Sequence, residues 1–238
     1  HECEIAQNVG ACGNEPVRYW MHTNMLNFNG QKMSKSLGNS ILPMQFITGE
    51  HPLLDKPYSA MTVRFLFMQS HYSSELDITI KGLQDAEKGL RKLMNAAKFF
   101  KELKFDSVTL EEKQDKLIND LCEECKTVMD DDFNAPKLVA TLHELATQIN
   151  IYYNDGKKIN NLSDVTYNLL QTAYNSYLFD VLGLCDEAET GNNDALDKVM
   201  QLVIDIRKQS RENKDWTTSD KIRDALKDAN INIKDGKE

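Results

Sequence analysis

Lys32-Met33-Ser34-Lys35-Ser36-Leu37-Gly38-Asn39 is the stretch on which the reading of this 238-residue chain turns. Two lysines flank one small hydroxyl residue, with Gly30 ahead of them and Gly38 behind. Glycine on both sides lets the backbone swing and take up left-handed conformations. A lysine ammonium is a compact cation on a flexible stem, suited to meeting a polyphosphate as a point charge. The plain alternative is a solvated surface loop that happens to hold two lysines. Asn29-Gly30 is a strong turn signal, and the aromatic and branched residues of 17–29 predict a strand leading into the loop.

Working outward, four more stretches carry information. They are His1-Glu2-Cys3-Glu4-Ile5-Ala6-Gln7, then Tyr19-Trp20-Met21-His22 with Met25, then Met129-Asp130-Asp131-Asp132-Phe133-Asn134-Ala135-Pro136. The last is Lys214-Asp215-Trp216 with Asp220, Arg223-Asp224 and Leu226. Together with KMSKS-LGN, these resemble, in the expected order and from end to end, the cysteinyl-tRNA synthetases, a family of class I aminoacyl-tRNA synthetases. KMSKS is similar to that class's second ATP-binding motif. The resemblance departs at Ser73 and Glu75, where the family usually has arginine and proline, and after Asp235-Gly236, where it usually has GTTW. It implies a mainly α chain: the end of a Rossmann-type α/β catalytic domain, then a helical bundle and a small α/β C-terminal subdomain. The expected boundaries are 1–40 for the catalytic remnant with its loop, 41–80 for a stem-contact connecting element, 81–186 for the bundle and 187–238 for an anticodon-binding subdomain. The sequence opens on His1 rather than methionine and holds no HIGH motif, so we expect a C-terminal portion, inactive by itself.

Composition bounds the same answer. The apolar fraction, 41%, is ordinary for a globular chain, no apolar run reaches the length of a bilayer span, and no secretory signal is visible. Five cysteines at irregular spacing do not make a disulfide framework, which points to a reducing, cytoplasmic setting and, with no membrane partner, a monomer. The net charge of −9 is unfavourable for a nucleic-acid binder, but the charges are segregated. Residues 81–104 carry Lys81, Lys88, Arg91, Lys92, Lys98, Lys101 and Lys104 against Asp85, Glu87 and Glu102, while 111–132 is strongly acidic. That basic stretch either tracks a phosphate backbone or is a solvated helix face with ion pairs at helical spacing.

Periodicity predicts a short helix within residues 1–12 that ends at Gly10, a short helix or strand over 42–48 closed by Gly49, and a helix begun by Pro57. Four amphipathic stripes follow: Leu83, Leu90, Leu93 and Ala97; Leu117, Leu121, Cys125 and Val128; Leu138, Leu142, Leu145 and Ile149; and Val165, Leu169, Ala173, Tyr177 and Leu178. Four such helices with short loops make a bundle, the third capped by Asn134 with Pro136 in its first turn. A polar linker at 187–193, two further helices and a short strand at 231–233 complete the pattern. Cys122-Glu123-Glu124-Cys125 lacks a second pair at metal spacing and reads as buried thiols on a helix, and His51 and His143 read as structural.

The resemblance also implies the chemistry. Cysteine carboxylate attacks the α-phosphorus of ATP, carried with Mg2+, and the aminoacyl group then passes to tRNA-Cys. Lys35, assisted by Lys32, is expected to stabilise charge on the departing pyrophosphate. Met33, Ser34 and Ser36 complete the ATP loop, and His22 is placed to touch the adenylate. The family selects cysteine through a Zn2+ ion that takes the substrate thiolate. Glu4 matches its carboxylate ligand and His1 the second histidine of a pair, while the histidine and two cysteine ligands fall outside this sequence. Zinc is therefore expected in the complete enzyme and not in this chain. In the anticodon module, Trp216 offers a stacking face, Arg211 a fork for guanine, and Asp220 and Asp235 acceptors for exocyclic amines. For Trp216 core packing competes with that role; for Asp220 a helix-start charge behind Thr217 does. Two other functions share parts of the pattern: a mycothiol-pathway cysteine ligase, which needs no anticodon module, and a stand-alone, non-catalytic tRNA-binding helical module.

Overall fold

The computed structural model describes residues 1–14, 17–106, 109–187, 193–212 and 215–228. The chain is predominantly helical and divides into two compact units, His1–Cys185 and Asp186–Glu238.

The first unit opens with α1 (Glu2–Cys12), an exposed helix without a buried residue. It runs through Gly10 rather than stopping there, because Gly13, in the left-handed region, closes it and donates to the Val9 carbonyl at 2.8 Å. The strand expected within 17–29 condenses to β1 (Leu26–Phe28). Asn29 and Gly30, both at positive φ, turn it back into β2 (Gln31–Lys32), the geometry for which Asn-Gly is the preferred pair. α2 (Pro43–Thr48) ends at Gly49. α3 (Ala60–Met68) begins three residues beyond Pro57. Ser59 is extended and its hydroxyl accepts from the Thr62 N–H at 3.1 Å, so a side-chain cap rather than proline sets that start. The crossover through α2 and α3 brings β3 (Leu76–Ile78) alongside β1 in parallel, giving the order β2-β1-β3.

α4 (Ile80–Glu102), α5 (Glu112–Asp130), α6 (Ala135–Asn154) and α7 (Asp164–Asn175) then pack α4 on α6, α6 on α5 and α5 on α7. Two short strands, β4 (Lys104–Phe105) and β5 (Lys158–Ile159), pair in parallel across the loops. Asn134 caps α6 through the Lys137 N–H, as its sequence predicts. Stripes one and three are buried throughout. In α5 Leu117 is exposed and its neighbour Ile118 takes the buried place beside Leu121, Cys125 and Val128. In α7 Val165 is exposed, and Thr166, Leu170, Ala173 and Tyr174 face inward. Both shifts have one cause: adjacent apolar residues give two helical phases, and only packing selects between them. α7 then widens into a π-helical turn over Ser176–Val181.

The second unit holds α8 (Asn193–Glu212) and α9 (Trp216–Asp228), which pack on each other. The strand expected at 231–233 lies outside the described residues.

Candidate functional site

The lysine loop leaves β2 and is held from behind. Met33 donates its N–H to the Leu26 carbonyl at 3.3 Å, and its side chain packs against the core. Ser34 donates its N–H to Asn39 Oδ1 at 2.8 Å, and Asn39 Nδ2 donates to the Lys32 carbonyl at 3.2 Å. Asn39 is 7% exposed, so one buried amide clips the main chain on both sides of Met33. Inside the loop, Ser34 Oγ lies 3.2 Å from Ser36 Oγ and accepts the Leu37 N–H at 3.3 Å. Gly38, at positive φ, closes the turn onto the Lys35 carbonyl at 3.2 Å. Ahead of the loop, the Gly30 N–H donates to Asp77 Oδ1 on β3 at 2.8 Å. Lys32 and Lys35 stand exposed on this fixed frame. The motif named the lysines; the role of Asn39 was not foreseen, although it closes the quoted string.

A second set of contacts ties that hairpin to the bundle. Tyr72 donates its hydroxyl to Asp132 Oδ1 at 2.6 Å, and this bond raises the phenol's pKa. His71 Nε2 lies 3.0 Å from the Asp132 carbonyl, which can only accept, so that nitrogen carries the proton; Nδ1 then accepts from Ser73 Oγ at 2.7 Å. Asn24 takes the same turn from the other side, donating its N–H to the Tyr72 carbonyl and its amide to the Ser73 carbonyl. Asp132 and Phe133 both hold positive φ, a strained state for such residues that surrounding contacts must offset. Phe133 borders an apolar cleft of about 440 Å³ with Met25, Leu26, Phe67 and Tyr72. The divergence at Ser73 and Glu75 hid these contacts in the sequence.

Near the start of the chain, His1 Nδ1 lies 3.4 Å from Glu4 Oε1, and the His1 ring stacks on His22 with centroids 4.7 Å apart. The Trp20 ring also lies nearly parallel to that of His22, centroids 6.2 Å apart. Glu4, His1 and His22 thus come together, but the ring contacts of His22 run to this cluster and not to the lysine loop. Among the described residues, no three His, Cys, Asp or Glu side chains gather as a metal site. Glu4 and His1 fall short of the four donors that a tetrahedral zinc site requires.

In the second unit, Trp216 opens α9 and is 58% exposed, so it is not packed into a core. The cap behind it is Asp215, not Thr217: Asp215 Oδ1 accepts the Thr218 N–H at 3.1 Å, and the Thr218 side-chain hydrogen bond holds its carboxyl below the ordinary value. Asp220 pairs with Arg223 at 3.1 Å. Arg211 sits in the last turn of α8. Asp235 lies outside the described residues. Elsewhere Cys122 and Cys125 are buried in the bundle, and desolvation pushes both thiols up to about 12. His51 Nδ1 accepts the Leu53 N–H. Among the described residues no helix is long and apolar enough to cross a membrane.

Residues 1–88 match the family model of the class I (C) tRNA synthetase catalytic domain, and residues 126–186 match the DALR domain. Over its whole length the chain is 44% identical to a cysteine–tRNA ligase of Parabacteroides distasonis, 43% to that of Porphyromonas gingivalis and 41% to that of Cytophaga hutchinsonii. In each case it covers 47% of the relative, so the chain spans about half the length of the curated relatives it matches. A class I catalytic match that contains the clipped lysine loop, a DALR match on the bundle and end-to-end identity agree: along its whole length the chain is similar to cysteine–tRNA ligases.

Proposed function

We propose that this chain supplies the lysine loop and the tRNA-binding portion of a cytoplasmic, monomeric cysteine–tRNA ligase, which activates cysteine with ATP and Mg2+ and charges tRNA-Cys. The supporting observation is the loop itself: two exposed lysines three residues apart, on a main chain clipped by Asn39 and pinned through Gly30. A phosphate-binding cation needs reach at its tip and order at its root, and this arrangement supplies both. Lys35, with Lys32, stabilises the negative charge that builds on pyrophosphate as it leaves, while Met33, Ser34 and Ser36 hold the loop around the nucleotide. His22, in ring contact with His1 and Trp20, is the residue assigned to the adenylate. Glu4 is assigned to the zinc of the complete enzyme, and since the donors gathered here do not make that site, no step is routed through it. Residues 1–40 form the catalytic remnant, 41–80 the connecting element, 81–186 the bundle and 187–238 the anticodon module, where Arg211, Trp216, Asp220 and Asp235 read the bases.

In the full-length protein, Lys35→Ala is expected to slow ATP–pyrophosphate exchange by roughly 10²–10³-fold, about 3 kcal/mol, with an unchanged melting temperature. Exchange at the parental rate would remove Lys35 from the mechanism.

A further inference from the structure

The bundle carries a second cationic feature, away from the lysine loop's hydrogen-bond frame. Between α4 and α6 runs an open groove of about 460 Å³, reached at one end by Gln69 beyond α3. Its walls mix apolar surface with polar side chains: Asp85, Lys88 and Lys92 from α4, and His143, Thr147 and Asn150 from α6. Gly89 forms part of the floor, where a Cβ would stand 3.0 Å from Phe65 and 3.5 Å from His143 Nε2. The missing side chain lets the His143 ring lie edge-on to Phe65, centroids 6.2 Å apart, half-buried at the bottom of the groove.

Several of these groups keep their polar atoms unspent within the fold. Among the described residues, the Lys92, Gln69 and Asn150 side chains and the His143 ring nitrogens make no hydrogen bond or ion pair. Thr147 spends its hydroxyl on the His143 carbonyl. Lys88 is 3.6 Å from Asp85, the groove's one carboxylate, which leaves Lys92 as an uncompensated cation. A half-buried imidazole beside an unpaired ammonium and two free amides forms a cluster of donors facing a concave space. The complementary ligand is anionic and rich in acceptors. Lys81, Lys88 and Lys92, seven and four residues apart, also fall along one face of α4, a row of roughly 16 Å at helical rise. A row suits a polymer of charges better than a point charge.

We propose that the α4–α6 groove is a phosphate-binding site for an RNA backbone, with Lys92 and His143 as its principal contacts. It deepens the tRNA-binding side of the proposed function and rests on that reading only for which RNA is bound. Burial first, and then Lys92, hold the His143 pKa below its ordinary value. The charged groups lining the groove with the ring are Asp85, Lys88 and Lys92 on α4, while the uncharged Phe65 of α3 and Gln69 just beyond it complete that side among the described residues. A bound phosphate favours the imidazolium, so its arrival raises the His143 pKa, and affinity tightens as pH falls through that value.

The test follows the His143 ring signals by NMR across a pH titration of the whole chain, alone, with inorganic phosphate and with a folded tRNA transcript. Parallel affinity measurements over a range of salt use Lys92→Ala and Asn150→Ala. With tRNA, the His143 midpoint moves up, Lys92→Ala weakens binding roughly fivefold, and the slope of log affinity against log salt falls by about one. Both variants alter groove side chains with no partner in the fold, so circular dichroism should stay parental. A response to inorganic phosphate without one to tRNA upholds the phosphate site and moves its source to a small phosphorylated molecule. Silence of His143 in both arms overturns the proposal, as does tRNA binding with an unchanged salt slope in Lys92→Ala. In that last case the anticodon module can still bind tRNA, so the proposed function survives the loss of the groove.

Discussion

Asn39 shows how a loop that must reach can still be ordered. Its amide accepts from Ser34 and donates to Lys32, so each lysine stem leaves a fixed piece of main chain. Asn39→Ala removes both bonds and strands a partly buried N–H, which costs about 1–3 kcal/mol. The full-length variant should melt a few degrees lower and lose pyrophosphate-exchange activity beyond what its folded fraction explains. A lower melting temperature with parental specific activity would reduce Asn39 to scaffolding. The lysines are legible in the sequence because the motif is local and contiguous. The work of Asn39 is not, since it depends on the chain doubling back five and seven residues. His71 and Tyr72 were opaque for the same reason at longer range: their partner, Asp132, is about sixty residues away.

At the scale of elements, the sequence was readable wherever a single apolar phase existed. Leu83, Leu90, Leu93 and Ala97 on α4 admit one inward face, and it is the buried one. α7 offers Val165 beside Thr166 and Leu169 beside Leu170, and periodicity alone cannot choose between faces that neighbouring helices decide. β3, β4 and β5, of two or three residues each, are too short to show alternation and exist because partners pair with them. The Cys122–Cys125 pair was legible because Cys125 falls on the apolar stripe of α5. Its burial gives a direct expectation: a thiolate is the reactive form, and desolvation holds both thiols near 12. Near neutral pH, Cys3, Cys12 and Cys185, which are exposed, should alkylate in the native protein, while Cys122 and Cys125 react only after denaturant is added. Peptide mapping of the alkylated chain tests this. Rapid native labelling of Cys122 or Cys125 would mean that α5 opens far more readily than its packing implies.

Across the whole molecule, the proposed function pairs an acidic chain with an RNA partner, and local segregation of charge bears on that pairing. The basic row lies on α4 and a strongly acidic stretch on α5 and its flanks, while α8 and α9 carry acids and bases in equal number. The lysine loop belongs to the first compact unit and Trp216 to the second. If the units divide the work, damage to one should not spread to the chemistry of the other. Trp216 is exposed, so its loss removes a stacking surface without opening a cavity in packed core. Stacking of a base on an aromatic ring is worth about 1–3 kcal/mol. Trp216→Ala in the full-length protein should therefore weaken tRNA-Cys binding by roughly 5- to 150-fold while pyrophosphate exchange, which needs no tRNA anticodon, holds its parental rate. Lys35→Ala should show the opposite pattern, with exchange lost and tRNA affinity kept. Equal losses of both activities in either variant would mean that the units act as one, and the assignment of base reading to the second unit would fall.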